Sequence, residues 1–335
     1  MKRRHLSGLV AVLAIACMFT SRKAVGQVDA HFSQYYAYPL WLNPGLTGVM
    51  DGELRISANY RRQWTGIADP YSTAAFSVDG RPFDHLSLGA TVLDQSAGDV
   101  GYNYLNALAS AAYQLVLDGS QMNILSVGIQ AGVIGHRFDQ SKLQSGSQWS
   151  PVVGYDPGIP SGEAFDKTSS LGLDANVGIF YYNVSQYSLL NPFMGVSLYH
   201  LSRPSDYFLN NSTGRLPMRI NVHGGVKMTL NSRFSLTPQV LYMRQGNAYE
   251  TAGTLYAQYT LGDNADFLFG STYRYKDAVI PFAGMHIGEF TWGISYDANV
   301  SRSEGASMDR GGLELSLSYV KRKDKGMTQL TCPRF

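Results

Sequence analysis

From residue 53 to residue 322, apolar and polar residues alternate one for one, in segment after segment. Residues 54–61 set Leu54, Ile56, Ala58 and Tyr60 on one face and Arg55, Ser57, Asn59 and Arg61 on the other. Residues 171–178 set Leu171, Leu173, Ala175 and Val177 against Gly172, Asp174, Asn176 and Gly178. Residues 218–229, 290–297 and 313–318 repeat the pattern, the last as Leu313, Leu315 and Leu317 against Glu314, Ser316 and Ser318. A period of two is the signature of a strand with one apolar and one polar face, and no helical period of comparable length competes with it.

Fourteen such segments are expected: 53–64, 70–80, 86–95, 102–117, 121–136, 170–182, 192–202, 216–230, 233–245, 249–261, 266–276, 279–288, 289–300 and 312–322. Most run to about ten residues or more, long for a soluble strand but suited to a tilted membrane crossing. The connections sort by length. Arg81–His85, Asp118–Ser120, Asn231–Ser232 and Gly262–Ala265 are short, whereas Arg137–Ser169, Arg203–Arg215 and Ser301–Gly311 are long. Short periplasmic turns and longer external loops mark outer-membrane barrels. The sorting is incomplete, since the sixth connection is of middling length and the ninth and eleventh are short. In lipid every backbone N–H and C=O needs a partner within the protein, which a sheet achieves only by closing on itself. The fold class is therefore an all-β transmembrane antiparallel barrel of about fourteen strands, preferred over a soluble secreted β-sandwich. An even strand count puts both chain ends on the periplasmic side. Aromatics near strand ends (Tyr102, Tyr104, Trp149, Tyr181, Tyr199, Tyr242, Tyr259, Tyr273, Tyr275, Trp292) are expected to form an interfacial girdle.

The chain opens with the basic residues Lys2, Arg3 and Arg4, an apolar run from Leu9 to Phe19, and the small residues Ala24 and Gly26 before Gln27. This is the layout of a cleaved signal peptide over 1–26, too short for a membrane anchor. Ala14-Ile15-Ala16-Cys17 loosely resembles a lipoprotein processing site, but Ala14 stands where leucine is usual. Cleavage removes five of the 27 basic residues (Lys2, Arg3, Arg4, Arg22, Lys23) and none of the 25 acidic ones, leaving an excess of three acidic residues. That balance argues against a nucleic-acid partner. The mature chain keeps a single cysteine, Cys332, which rules out an internal disulfide and a cysteine-rich metal site.

Motifs that carry chemistry are not found. His5, His31, His85, His136, His200, His223 and His286 are scattered, with no pair at metal-ligand spacing. Neither a G-x-S-x-G elbow nor a phosphate-cradling glycine loop occurs. No cofactor, metal or catalytic residue is assigned and the chain is read as non-enzymatic, a lipase assembled from several strands being the alternative. Arg55, Arg219, His223 and Lys227 are placed facing the lumen. Arg219, His223 and Lys227 share the polar face of one strand. They can favour anions, or, as preferred, pair with acids such as Asp174, Asp297 or Glu314 on other strands.

Residues 27–52 form an N-terminal segment on the periplasmic side, followed by the barrel over 53–322 and a periplasmic tail over 323–335. Within the first, HFSQYYAYPLWLNPGLTGV is too aromatic for a tether. Pro39 and Pro44 bar it from a central strand, and Asn43-Pro44 favours a turn. A compact aromatic segment of this kind suits a plug or brace in the barrel mouth, because a wide barrel is not filled by its strand side chains.

Phe32-Ser33-Gln34-Tyr35 with Leu42-Asn43-Pro44, then Tyr60-Arg61-Arg62-Gln63-Trp64-Thr65-Gly66, then Ser295-Tyr296-Asp297 with Leu313 to Tyr319, and finally Cys332-Pro333-Arg334-Phe335 occur in order. Together they resemble the PorP/SprF outer-membrane proteins of the Bacteroidetes type IX secretion system, from end to end of the mature chain. Two departures stand out. Gly45-Leu46-Thr47-Gly48 replaces the family's usual Ala-Gly pair, and the loop over 137–169 has no counterpart. The resemblance implies a barrel held in outer-membrane lipid. Its partners would be periplasmic type IX machine proteins, or a secreted adhesin with a C-terminal sorting domain whose export or surface attachment it supports. Phe32, Gln34, Tyr35, Asn43 and Pro44 are the candidate partner-binding or plug residues, internal packing against the wall being the alternative. A passive porin or nutrient channel is the competing function.

Overall fold

A computed structural model describes residues 29–63, 70–98, 101–162, 167–205, 214–300 and 311–322. The signal peptide with Cys17, the motif residues Trp64 to Gly66, and the tail 323–335 with Cys332 lie outside the described residues.

Fourteen long strands make up the wall: β1 (Leu54–Gln63), β2 (Tyr71–Gly80), β3 (Leu86–Ala97), β4 (Tyr102–Val116), β5 (Asn123–Arg137), β6 (Ser169–Asn183), β7 (Leu190–Tyr199), β8 (Arg219–Thr229), β9 (Phe234–Gln245), β10 (Ala248–Gly262), β11 (Ala265–Arg274), β12 (Ala278–Ile287), β13 (Phe290–Tyr296) and β14 (Leu313–Lys321). Each pairs antiparallel with its sequence neighbour. The sheet closes where β1 meets β14, from Leu54 opposite Lys321 to Arg62 opposite Leu313. The result is a closed fourteen-stranded up-and-down barrel without a free edge, as the alternation requires. The expected segments match these strands to within about three residues, except that β13 ends early at Tyr296 and resumes as a two-residue bridge at Ala298–Asn299.

Parity decides which side chains meet lipid. On β5 the outward Ile129 is 60% exposed while its inward neighbour Gln130 is 2% exposed. On β6 Leu171 and Leu173 are each 75% exposed, whereas Asp174 and Asn176 are buried. The outer surface is apolar and the inner one polar, the reverse of a soluble protein. Of the expected girdle, Tyr242, Tyr259, Tyr273, Tyr275 and Trp292 lie exposed on the outer face. Tyr104 and Tyr199 do not, being buried inside the barrel, nor does Tyr102, which packs against that interior, nor Trp149, which lies in the loop after β5. Closeness to a strand end does not set the face. Tyr104 shares parity with the inward Asn106, and Tyr199 with the inward Ser197.

The loop over 138–168 carries order of its own. Trp149–Ser150 pairs with Gly154–Tyr155, and Gln148 ties the hairpin to Ile159 O at 2.8 Å.

Candidate functional site

The lumen is occupied. Almost every residue from Asp29 to Met50 is buried, and they contact walls all around the barrel. The prolines that forbid a strand here start helical turns instead. Pro39 opens a four-residue α-helix (α1, Pro39–Leu42), where its missing N–H costs nothing. Pro44 opens a 3-10 turn over Pro44–Leu46, capped by Asn43, whose Oδ1 accepts from Gly45 N at 2.8 Å. Another 3-10 turn spans Tyr35–Ala37.

Asn43 and Pro44 fit a notch made by glycines. A Cβ on Gly178 would lie 2.0 Å from Asn43 Oδ1, one on Gly195 2.6 Å from Asn43 Nδ2, and one on Gly128 2.2 Å from Pro44 O. Only residues without a side chain permit this approach. Asn43 Nδ2 donates to Ile179 O at 2.9 Å and lies 3.1 Å from His223 Nε2. The neighbouring carbonyls are used too. Leu40 O accepts from Gln130 Nε2 at 2.8 Å, and Leu42 O accepts from Ser197 Oγ at 2.9 Å and Asn221 Nδ2 at 3.0 Å. Short helical turns leave such carbonyls without internal partners, so the inward polar face of the wall supplies them.

Three buried charge clusters pin the segment. In the first, Asp29 Oδ2 lies 2.8 Å from Arg219 Nη1 and 2.7 Å from His200 Nε2, while His200 Nδ1 lies 2.9 Å from Asp174 Oδ2. The Arg219 guanidinium sits between the Trp41 and Tyr199 rings, 4.4 Å and 4.2 Å from their centroids, and donates to Trp41 O at 3.2 Å. Burial penalises the Asp29 carboxylate, and its two cationic partners, His200 and Arg219, compensate for that. Burial would likewise depress His200, just past the end of β7. Asp29 and Asp174 outweigh that and push it up to about 9.

In the second cluster, Glu314 accepts from the backbone N–H groups of Ser33 at 2.6 Å and Gln34 at 3.0 Å. Asp297 accepts from Ser33 Oγ at 2.6 Å and pairs with Arg61 at 2.6 Å and Arg274 at 3.0 Å. Arg61 also donates to His31 O. In the third, Asp79 accepts from Gly48 N at 2.7 Å and pairs with Arg55 at 2.8 Å, and Arg55 donates to Leu46 O and Val49 O, each at 3.2 Å.

The sequence-based candidates fall into this arrangement as follows. Phe32 packs edge-on against Tyr38 with centroids 5.4 Å apart, and Tyr35 donates from its hydroxyl to Thr254 at 3.1 Å. Gln34 bridges Ser295 Oγ at 3.1 Å and Ser316 Oγ at 2.8 Å. Arg55, Arg219 and His223 are buried against the segment, and Lys227 is half-buried further along β8, toward its end at Thr229. The preferred pairing of Arg219 and His223 with Asp174, Asp297 or Glu314 is not what forms. Those acids go to His200, to Arg61 and Arg274, and to the Ser33 and Gln34 amides, while Arg219 takes Asp29 and His223 takes Asn43. The physical reason is that the segment fills the space through which the strands would have had to pair. Asp29, Asp79, His200 and Arg274 are absent from the sequence-based candidates. Asp79 and Arg274 were reachable through parity, as charges on an inward strand face; Asp29 carries no local signal.

A closed barrel with an apolar exterior and a polar, filled interior defines an outer-membrane β-barrel protein. Its sequence matches the family described as type IX secretion system membrane protein PorP/SprF over residues 24–319. The chain belongs to the PorP/SprF family. Among solved structures it is similar to the CymD monoaromatic hydrocarbon channel, at 13% identity over 88% of this chain and 95% of that one, with a TM-score of 0.52. It is also similar to the Pseudomonas putida toluene transporter TodX, at 10% identity over 89% and 96%, with a TM-score of 0.50. At such identities the likeness is one of fold. No curated protein matches the sequence.

Proposed function

We propose that the protein is a closed, non-conducting barrel of the type IX pathway. In this role it supports export or surface attachment of a secreted adhesin with a C-terminal sorting domain, or links the outer membrane to periplasmic machine proteins. Family membership supplies the pathway. The observation that carries the closed state is the buried segment from Asp29 to Met50, pinned by three charge clusters inside the lumen. A passive porin needs a continuous water-filled path, and this segment stands in its way. With the lumen filled, the surfaces left for partners are the two mouths and the loops. The motif residues Phe32, Gln34, Tyr35, Asn43 and Pro44 then serve to hold the plug, since their side chains are consumed by the wall.

Two measurements test this. Gentle detergent purification of a tagged protein from its native outer membrane, with mass spectrometry of what accompanies it, is expected to return periplasmic machine proteins or one large secreted surface protein. Planar bilayers containing the intact protein are expected to show no large steady pore. Recovery of the barrel alone together with a steady, large conductance would overturn the proposal in favour of the porin.

A further inference from the structure

The segment does not merely cap one mouth. Its first described residue, Asp29, is bound to His200 just past β7, to Arg219 at the start of β8 and, through its amide, to Gln245 at the end of β9. Ser33 and Gln34 are bound near the start of β14 and just past β13. All of these positions lie at the barrel end carrying the first, third, fifth and later odd connections, which include the long loops over 138–168 and 200–218. The middle of the segment meets the middle of the wall, where Asn43 and Pro44 lie against Gly128 of β5, Gly178 of β6 and Gly195 of β7. Its last part is bound at the opposite end. Gly48 binds Asp79, next to the last residue of β2, and the carbonyls of Met50 and Gly52 are held by Arg81 in the tight connection to β3. From Asp29 to Gly52 the chain thus runs the length of the lumen.

We infer that residues 29–50 make a fifteenth crossing of the membrane, inside the barrel, with Asp29 at the long-loop face, toward the outside of the cell. The orientation follows from the short turns being periplasmic, the arrangement general to bacterial outer-membrane barrels. The fourteen wall strands alone begin and end at the periplasmic face; the inner crossing carries Asp29, the first described residue, to the far side. The same geometry dictates an order of assembly. A closed barrel offers no route for Asp29 to travel past the Gly128, Gly178 and Gly195 notch, where the wall touches the backbone at Asn43 and Pro44. The buried charges on either side of that notch would also have to pass one another unpaired, which burial makes costly. The segment is therefore in place when β14 zips onto β1, and the barrel closes around it. The inference depends on the orientation of the barrel and is independent of the type IX role.

The test is topological. In the full chain with Cys17→Ser and Cys332→Ser, single cysteines are introduced as Val28→Cys, immediately upstream of Asp29, as Val153→Cys in the long loop and as Asp84→Cys in the β2–β3 connection. Cells are treated with a membrane-impermeant maleimide before and after the outer membrane is permeabilised. Val28→Cys and Val153→Cys are expected to react on intact cells, and Asp84→Cys only after permeabilisation. Val28→Cys reacting together with Asp84→Cys would overturn the inference, and so would reaction of Asp84→Cys but not Val153→Cys on intact cells. If Val28→Cys reacts under neither condition, an epitope inserted between Val28 and Asp29 decides. Antibody binding to intact cells supports the inference. Its absence from a barrel that still shows the heat-dependent gel shift of a folded outer-membrane protein refutes it. None of these outcomes bears on which proteins are recovered in the purification proposed above.

Discussion

Replacing Arg219 by methionine should free the outer end of the inner segment while leaving its other end in place. Arg219 holds Asp29 at 2.8 Å, both side chains are almost fully buried, and its guanidinium lies against two aromatic rings. Without Arg219 the two carboxylates Asp29 and Asp174 share the single cation His200, and leaving one buried charge uncompensated costs about 3–5 kcal/mol. Methionine keeps much of the contact with Trp41 and Tyr199, so the loss is mainly electrostatic. With about 1.4 kcal/mol per factor of ten, the outer end should open about 10² to 4 × 10³ times more often. Hydrogen exchange with mass spectrometry reads this directly, since local opening governs amide protection. Protection of the amides from Asp29 to Tyr35 should fall by that factor. The amides of residues 46–50, held by Asp79 and Arg55, should be unchanged. Asp29→Asn should give a comparable loss. The double variant should cost clearly less than the two singles combined, because no unpaired charge is left behind. Protection within about threefold of the parent, or additive single effects, would refute the view that this pair anchors the segment.

The hold on the segment should also depend on pH. His200 is raised from 6.5 to about 9, so its contribution is complete below about pH 6.5 and is lost as pH rises through about 9. The urea midpoint should therefore drop from pH 6 to pH 10, and His200→Gln should flatten that alkaline limb; an unchanged limb would sink the assignment. Gly178→Ala places a Cβ 2.0 Å from Asn43 Oδ1 and should displace that side chain. Losing its bonds to Ile179, His223 and Gly45 is worth about 2–3 kcal/mol in unfolding experiments, and Asn43→Ala should relieve the steric part. On the outer face, Ile129→Lys should cost about 2–4 kcal/mol in a bilayer if that face meets lipid. A cost near zero would mean that it does not.

The sequence by itself determined the wall. Period-two alternation in fourteen segments specifies strand, face and count at once, because shifting a strand by one residue would exchange its lipid and lumen sides. That is why Leu171 and Leu173 were legible as outward and Arg55 and Arg219 as inward. Family-like motifs and two prolines marked residues 31–49 as something other than a strand, and the turn at Asn43-Pro44 is where it was expected. Parity went unapplied to the aromatics, which is how Tyr104 and Tyr199 came to be placed in the girdle.

Only the tertiary structure decided how the segment lies in the wall. Which charge meets which depends on distances across a closed lumen, and local spacing along a strand carries no record of them. Asp29 and Arg219 are 190 residues apart in sequence, and Ser33 and Asp297 are 264 apart. The glycines at 128, 178 and 195 read locally as weak points in three separate strands; in space they form one notch for Asn43 and Pro44. The direction in which the segment runs, with Asp29 at the long-loop end, follows from these contacts alone, because the sequence places its start and its finish on the same side of the membrane.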